Sequence, residues 1–301
     1  MSAKIFIDGE AGTTGLGIAG RLREMPGISL ISLDEAHRKD AAARADAMAR
    51  ADITVLCLPD DAAREAVAIA PPGARLLDAS SAHRTAPGWV YGFPELGAAQ
   101  AADIARARLV TNPGCYPTGA IALLRPLIDA GMLPADHDLT IYGVSGYSGG
   151  GKAQIAAHEA AGGPAFELYG LGLAHKHVPE IIAMSGLTRR PIFIPAVGHF
   201  PRGMLISIPL FLDRLPGAPS GYELVEAYRE RYDGAQNIVV HTGVFSANLE
   251  PEALAGTDQM EIFVCANGKY DHAVLVARLD NLGKGASGAA VQNITLMRGG
   301  E

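Results

Sequence analysis

At 301 residues, with 49% hydrophobic and 19% charged side chains, the chain is long enough for about two domains of ~150 residues each, and no apolar run reaches the ~18 residues of a membrane helix. A formal net charge of −7 argues against nucleic acid as a partner, because binding phosphate backbones takes a basic face; an anionic small molecule received by local Arg or Lys stays allowed. The three widely separated cysteines, Cys57, Cys115 and Cys265, fit neither a disulfide framework nor a CxxC metal site, so no metal is expected.

The strand-like Ile5-Phe6-Ile7 follows Met1 so closely that no signal peptide is expected before folded structure, which makes the cytoplasm the expected compartment. Short β-like runs then alternate with helical ones: strand Lys4–Ile7, helix Thr14–Met25, strand Ser29–Leu33, helix Ala41–Arg50, strand Ile53–Leu58, helix Ala62–Ile69, then strands Leu76–Leu77 and Leu109–Val110 and a helix Thr118–Ala130. This rhythm predicts a parallel α/β sheet. Its strands read as unbroken Ile, Leu and Val, as expected when helices cover both faces, and ligands should gather at the carboxyl ends of such strands.

Beyond Ala130 the texture changes to longer β-rich segments, Asp138–Val144, Arg190–Val197, Met204–Leu212, Ile238–His241, Gln259–Ala266 and His272–Leu279. They predict an open, largely antiparallel second sheet with few helices. The glycine-rich Gly283–Ala290 leads into a helix, Ala289–Met297, expected to return to the first domain. The predicted architecture is therefore α/β: a Rossmann-like dinucleotide-binding domain from residues 1–116 with 284–301, and an α+β, mainly antiparallel-sheet domain from 117–283 for substrate and dimerisation.

Gly9-Glu10-Ala11-Gly12-Thr13-Thr14-Gly15-Leu16-Gly17 follows the first strand and opens the first helix, the context of a dinucleotide loop. Its spacing, G-x-x-G-x-x-G, is a variant of the usual G-x-G-x-x-G. The second strand ends in Asp34-Glu35-Ala36-His37-Arg38-Lys39. An acid there would hold the 2′-hydroxyl of NAD and a base the 2′-phosphate of NADP; the loop offers both, and Arg38 with Lys39 favours NADP.

Asn112-Pro113-Gly114-Cys115-Tyr116-Pro117-Thr118 sets a cysteine between a strand and a helix start, where unpaired N–H groups and the helix dipole favour thiolate. An arbitrary free cysteine is more often a small buried hydrophobe; beside a nicotinamide site Cys115 reads instead as a nucleophile that forms an acyl thioester reducible by hydride. Such chemistry needs a proton donor. His175 and His177 lie close to Glu180, a possible orienting carboxylate, and His158 and the isolated His199 are further candidates. For anion binding the chain offers Arg84 after Ser80-Ser81-Ala82-His83, Lys152 at the end of a flexible amide-rich loop from Ser145 and Gly146 onward, and Arg202. The glycines before Lys152 do not match a P-loop, because Ala153 stands where Ser or Thr is required.

Together these segments resemble the N-acetyl-γ-glutamyl-phosphate reductase family in its shorter form, and more distantly aspartate-semialdehyde dehydrogenase. The resemblance rests on Gly9–Gly15, Leu58-Pro59-Asp60, Asp78–Arg84, Tyr91-Gly92-Phe93-Pro94-Glu95-Leu96, Asn112–Thr118, Ser145–Lys152, His175–Glu180, Gly198–Met204, and Asn281-Leu282-Gly283-Lys284-Gly285-Ala286 through Gln292-Asn293. It implies NADPH-dependent reduction of a small-molecule acyl phosphate to an aldehyde in a cytoplasmic homodimer or homotetramer, without nucleic acid or membrane. It also implies Cys115 as nucleophile and His175 with Tyr169 as the acid/base pair, supported by His177 and Glu180. Cofactor contacts would come from Gly9, Gly12, Thr13, Thr14, Gly15, Leu16, Arg38, Lys39, Pro59, Ser80 and Asn293. Substrate contacts would come from Arg84, Asn112, Ser145, Gly146, Lys152, His177, His199 and Arg202. Two departures, Lys176 between the paired histidines and the segment Val197–Pro201, keep His199 as a rival general acid. A substrate one methylene longer, of aminoadipyl type, is not separated by the sequence, and a dinucleotide-binding redox sensor is the non-enzymatic rival.

Overall fold

In the computed structural model, which describes residues 2–244 and 248–299, the chain divides into two compact units, Met1–Gly114 with Ala286–Glu301 and Cys115–Gly285. The first unit runs β1 (Ala3–Asp8), α1 (Thr13–Arg23), β2 (Ile28–Ile31), α2 (Ala41–Arg50), β3 (Ile53–Leu56), α3 (Asp60–Ile69), β4 (Leu76–Asp78), β5 (Val90–Tyr91), α4 (Gln100–Arg106) and β6 (Leu109–Thr111). The strands form one parallel sheet in the order β2-β1-β3-β4-β6-β5. The unbroken run Ile5-Phe6-Ile7 is shared between its faces, since successive side chains on a strand point opposite ways. Ile5 and Ile7 join Ile18, Ile104, Ile294 and Met297 in one core, while Phe6 joins Ala47, Met48, Leu56 and Ala66 in the other. The strand order turns outward in both directions from β1 and β3, the switch point at which an open α/β sheet places its ligand.

The second unit runs α5 (Cys115–Asp129), β7 (Thr140–Gly146), α6 (Gly151–Ala161), β8 (Phe166–Leu168), α7 (Val178–Ser185), β9 (Ile192–Gly198), β10 (Met204–Phe211), α8 (Gly221–Tyr232), β11 (Ile238–Val244), β12 (Met260–Asn267) and β13 (His272–Leu279). Its sheet has the order β11-β12-β13-β10-β7-β9-β8. The β11/β12 and β7/β9 pairs are parallel and the remaining four antiparallel. In β10 the side chains of Met204, Ile206, Ile208 and Leu210 are buried while Leu205, Ser207, Pro209 and Phe211 are not, so one face is covered and the other is left open. The chain then returns to the first unit as α9 (Gly288–Met297), whose Ile294 and Met297 lie in its core.

Three helices of the second unit depart from the expectation of few. The residues read as an anion loop form a 3₁₀ turn, Tyr147–Gly150, and the start of α6, which carries Lys152 on its exposed side. Glycines are poor helix formers, and here they supply the turn rather than a loop. In α7, Pro179 occupies the first turn, where its missing N–H costs nothing. In α8, Ser220 and Glu223 form a reciprocal capping box, a readable start signal.

Candidate active site

In the first unit, β1 delivers Gly9 with φ +88°, where a Cβ would run into the carbonyl of Cys57, so only glycine fits at this point of the loop. Gly12 precedes α1 and no side chain caps that helix, which leaves its first amides and the positive end of its dipole for an anion. At the strand end Asp8 accepts from Arg44 Nε and Nη2 at 2.9 and 2.7 Å; burial nevertheless raises its pKa above the usual carboxylate value. A cavity of about 520 Å³ opens here, lined by Asp8, Gly9, Glu10, Ala11, Leu16, Leu33, Leu58, Arg38 and Lys39 among others. It accounts for the half-exposed Leu16.

The acids of the Asp34–Lys39 loop are paired within the loop itself. Asp34 accepts from the backbone N and Nδ1 of His37, and Glu35 from Arg38. Arg38 and Lys39 line the cavity, whereas Asp34 and Glu35 are not among its lining residues. At the end of β4, Asp78 is fully buried and accepts from Ser80 N and Oγ and from His83 Nδ1. His83 also stacks on Trp89. The knotted turn aims Arg84, whose Nε and Nη2 donate to the carbonyls of Asn112 and Ala79. Pro59 opens α3. Asn112 and Asn293 are buried and bonded to each other, Nδ2 of Asn293 donating to Oδ1 of Asn112 and to Gly92 O.

In the second unit, Cys115 is the first residue of the 15-residue α5, a full turn earlier than the expected start at Thr118. The half-buried residue therefore lies in the first turn, where the helix dipole favours thiolate. The other two thiols are held protonated. Burial pushes Cys57 up to about 12, with Asp78 and Asp8 adding to the rise, and burial also raises Cys265.

Next to Cys115, the ring of Tyr116 lies over Gly143 of β7, where a Cβ would come 2.7 Å from it. Its Oη donates to Ala196 O at 2.7 Å and is hydrogen-bonded with Tyr169. The Tyr116 ring touches His175, His177 and Phe193, with centroids 6.2, 6.0 and 5.3 Å away. Tyr169 stands edge-on to His175 at 5.6 Å. Burial, with the charge of Cys115 adding to it, pushes Tyr169 up to about 12, so near neutrality it is a phenol that donates. His175 moves the other way, lowered by burial and by Lys176. Its Nδ1 accepts from the His177 backbone N at 3.2 Å, so the neutral ring carries its proton on Nε2. The buried Glu180 sits in the first turn of α7.

The segments Ser145–Ser148 and Phe200–Gly203 zip together through Gly146 N to Gly203 O, Tyr147 N to Phe200 O and Ser148 N to Pro201 O. Ser145 Oγ donates to Gly146 O. Arg202 forks onto the fully buried Asp280, Nη2 to Oδ2 at 2.5 Å, and keeps 36% of its side-chain surface exposed. His199 belongs to a different group from His175: its Nδ1 lies 2.9 Å from Nδ1 of His158, and both rings pack against Tyr147. Sequence reasoning gives no role to Tyr116 or Asp280. Tyr116 could have been found as the hydroxyl next to the nucleophile, and Asp280 as the acid just before the Asn-Leu-Gly-Lys-Gly segment.

A dinucleotide loop at a sheet switch point and a cysteine at a helix start define a semialdehyde-dehydrogenase type of architecture, and family comparison agrees. Residues 9–104 match the semialdehyde dehydrogenase NAD binding domain, and residues 115–281 match the semialdehyde dehydrogenase dimerisation domain. The chain is 55% identical to N-acetyl-gamma-glutamyl-phosphate reductase 2 of Pseudomonas putida, across 98% of this chain and 96% of that one. It is 51% identical to N-acetyl-gamma-glutamyl-phosphate reductase of a Chelativorans species, across 100% and 99%. The chain belongs to the N-acetyl-γ-glutamyl-phosphate reductases of the semialdehyde dehydrogenase family. Among solved structures, aspartate semialdehyde dehydrogenase II of Vibrio cholerae superposes with a TM-score of 0.72 at 17% identity, covering 99% of both chains. The Candida albicans aspartate semialdehyde dehydrogenase with NADP superposes at 0.68 and 14% identity, also covering 99% of both. At such identities these two speak to the fold. Among the described residues no cluster of ligands suits a metal ion, and no helix is long and apolar enough to cross a membrane.

Proposed function

We propose that the protein reduces N-acetyl-γ-glutamyl phosphate to N-acetylglutamate 5-semialdehyde and phosphate with NADPH, in arginine biosynthesis, through a thioester on Cys115. The observation that carries the reading is the grouping of Cys115, Tyr116, Tyr169 and His175 at the start of α5. The first unit fits a dinucleotide: the glycine turn admits close backbone approach, the uncapped α1 receives pyrophosphate, and Arg38 and Lys39, which line the cavity beside it, support a 2′-phosphate partner. When bound, the reduced nicotinamide supplies hydride.

The protein's own residues carry the acyl chemistry. The Cys115 thiolate adds to the acyl carbonyl carbon, phosphate leaves with the C–O electron pair, and a thioester remains. His175 Nε2–H donates a hydrogen bond to the carbonyl oxygen as negative charge collects there, and a proton from solvent lets the phosphate leave as hydrogen phosphate. Tyr169 and Tyr116 hold the ring in place. Arg202, oriented by Asp280, receives the substrate carboxylate, and Arg84 is the anion-binding guanidinium of the first unit. The cytoplasm suits a chain whose three cysteines form no disulfide.

The open face of the second sheet, with Ile192, Phe211, Val239 and Val274 exposed, is covered by a second copy of the chain, giving a homodimer or a homotetramer; the match of residues 115–281 to a dimerisation domain supports this occupant. The deciding experiment is the reverse reaction, NADP and phosphate with N-acetylglutamate 5-semialdehyde, beside its aminoadipate homologue. Reduction of NADP with the shorter aldehyde is expected. Activity with the longer aldehyde alone would move the protein to lysine-type chemistry, and none with either would make it a dinucleotide-binding sensor.

A further inference from the structure

Asp280 follows β13 and is fully buried, yet its carboxylate serves three segments. Oδ2 accepts from Arg202 Nη2 at 2.5 Å and from Gly256 N at 2.7 Å, and Oδ1 accepts from Leu282 N at 2.9 Å and from Arg202 Nε at 3.4 Å. Its neighbour Asn281 clamps the same region, accepting from Gly203 N at 2.9 Å and donating to Ser148 Oγ at 3.0 Å. The backbone carbonyl of Asp280 accepts from Gly285 N at 3.0 Å, and Gly285 lies against Cys115. One short turn thus holds the nucleophile at one end and the guanidinium at the other. A lone Arg side chain has several rotatable bonds and adapts its reach; forked onto a buried carboxylate, it cannot.

We propose that Asp280 is a positioning residue that sets the length of substrate the enzyme accepts, by fixing Arg202 at a constant span from Cys115. The proposal rests on the assignment of Arg202 to the substrate carboxylate. A substrate that bonds to Cys115 at one end and to Arg202 at the other must match this span, and one extra methylene has to buckle. Discrimination of one methylene in a protein site is typically ~10–200-fold.

The test uses the full-length protein in the reverse reaction with N-acetylglutamate 5-semialdehyde and its one-methylene-longer homologue. In the wild type the shorter aldehyde should lead in kcat/KM by about tenfold or more. Asp280→Asn should shrink that lead to within about threefold, chiefly by raising KM for the shorter aldehyde, while iodoacetamide still modifies Cys115 at the wild-type rate. Arg202→Lys should do the same, and the double variant should be no worse than either single, since coupled residues are non-additive. If Asp280→Asn does not fold, Asp280→Glu, which keeps the charge but displaces it, takes its place with the same expected loss. A lead kept intact while both aldehydes slow equally, or additive effects in the double variant, would overturn the proposal. Unchanged KM values in Arg202→Lys would instead remove the carboxylate assignment on which it rests.

Discussion

Gly285 and Cys115 are packed so closely that a Cβ at position 285 would lie 2.9 Å from the Cβ of Cys115 and 3.1 Å from the carbonyl of Asp280. The backbone at 285 does not need a left-handed conformation; the limit is space alone. Gly285→Ala must therefore displace the first residue of α5 or the turn behind it. The expected result is slower alkylation of Cys115, a lower kcat, and a loss of about 1–3 kcal/mol of stability from overpacking, read by urea denaturation. Wild-type alkylation together with wild-type kcat would show that the contact does not govern the thiol.

The three cysteines should separate by reactivity. Cys57 is pushed up to about 12 and Cys265 is raised, both by burial, so near neutral pH both are thiols, while Cys115 sits at a helix start. Limited iodoacetamide treatment followed by peptide mass spectrometry should find Cys115 modified first and protected by substrate. Cys115→Ala should lose turnover and keep NADPH binding by fluorescence titration. Equal labelling at all three sites would count against an activated thiolate.

The pH profile should report His175. Burial and the charge of Lys176 both lower its pKa below the usual histidine value, so the limb that it governs should lie on the acid side of an ordinary histidine. Lys176→Gln removes a like charge, raises that pKa, and should move the limb to higher pH. His175→Asn should abolish the limb and lower kcat by ~10²–10⁴-fold, with Cys115 still alkylatable. His199→Asn, which alters the separate stack with His158 and Tyr147, should keep the limb; its disappearance there would transfer the role to His199.

Cofactor preference should depend on two side chains. Replacing Arg38 and Lys39 by Ala should raise KM for NADPH by about tenfold or more, the loss of one or two charge-assisted hydrogen bonds, and leave KM for NADH nearly unchanged. An unchanged ratio of the two would place the 2′-phosphate elsewhere.

The first unit was legible because its physics is local. Buried parallel strands read as unbroken runs such as Ile5-Phe6-Ile7, and a glycine turn between strand and helix marks its own ligand. The small helices of the second unit were harder: α6 opens among glycines and α7 with Val178-Pro179, neither of which carries a periodic apolar face of useful length. The start of α5 was read three residues late, because Pro117 looks like a boundary although it sits inside the first turn, where proline is tolerated. Cys115, His175 and Arg202 were visible as residue types. Their grouping was not, since Tyr116 meets His175 and Arg202 meets Asp280 only through contacts between positions 59 and 78 residues apart. The acids and bases of the Asp34–Lys39 loop look equivalent in sequence, and only the structure separates them, with Arg38 and Lys39 lining the cavity and Asp34 and Glu35 outside it.

The side chain of Arg38 is 46% exposed, and Lys39 beside it is exposed as well. A charge standing in water acts on an anion only within about one Debye length, roughly 8 Å at physiological ionic strength and about 3 Å in molar salt. The choice between the two nicotinamide dinucleotides is therefore written partly in the medium: concentrated electrolyte should weaken the hold on the phosphorylated form while sparing the other, and dilute buffer should exaggerate the difference.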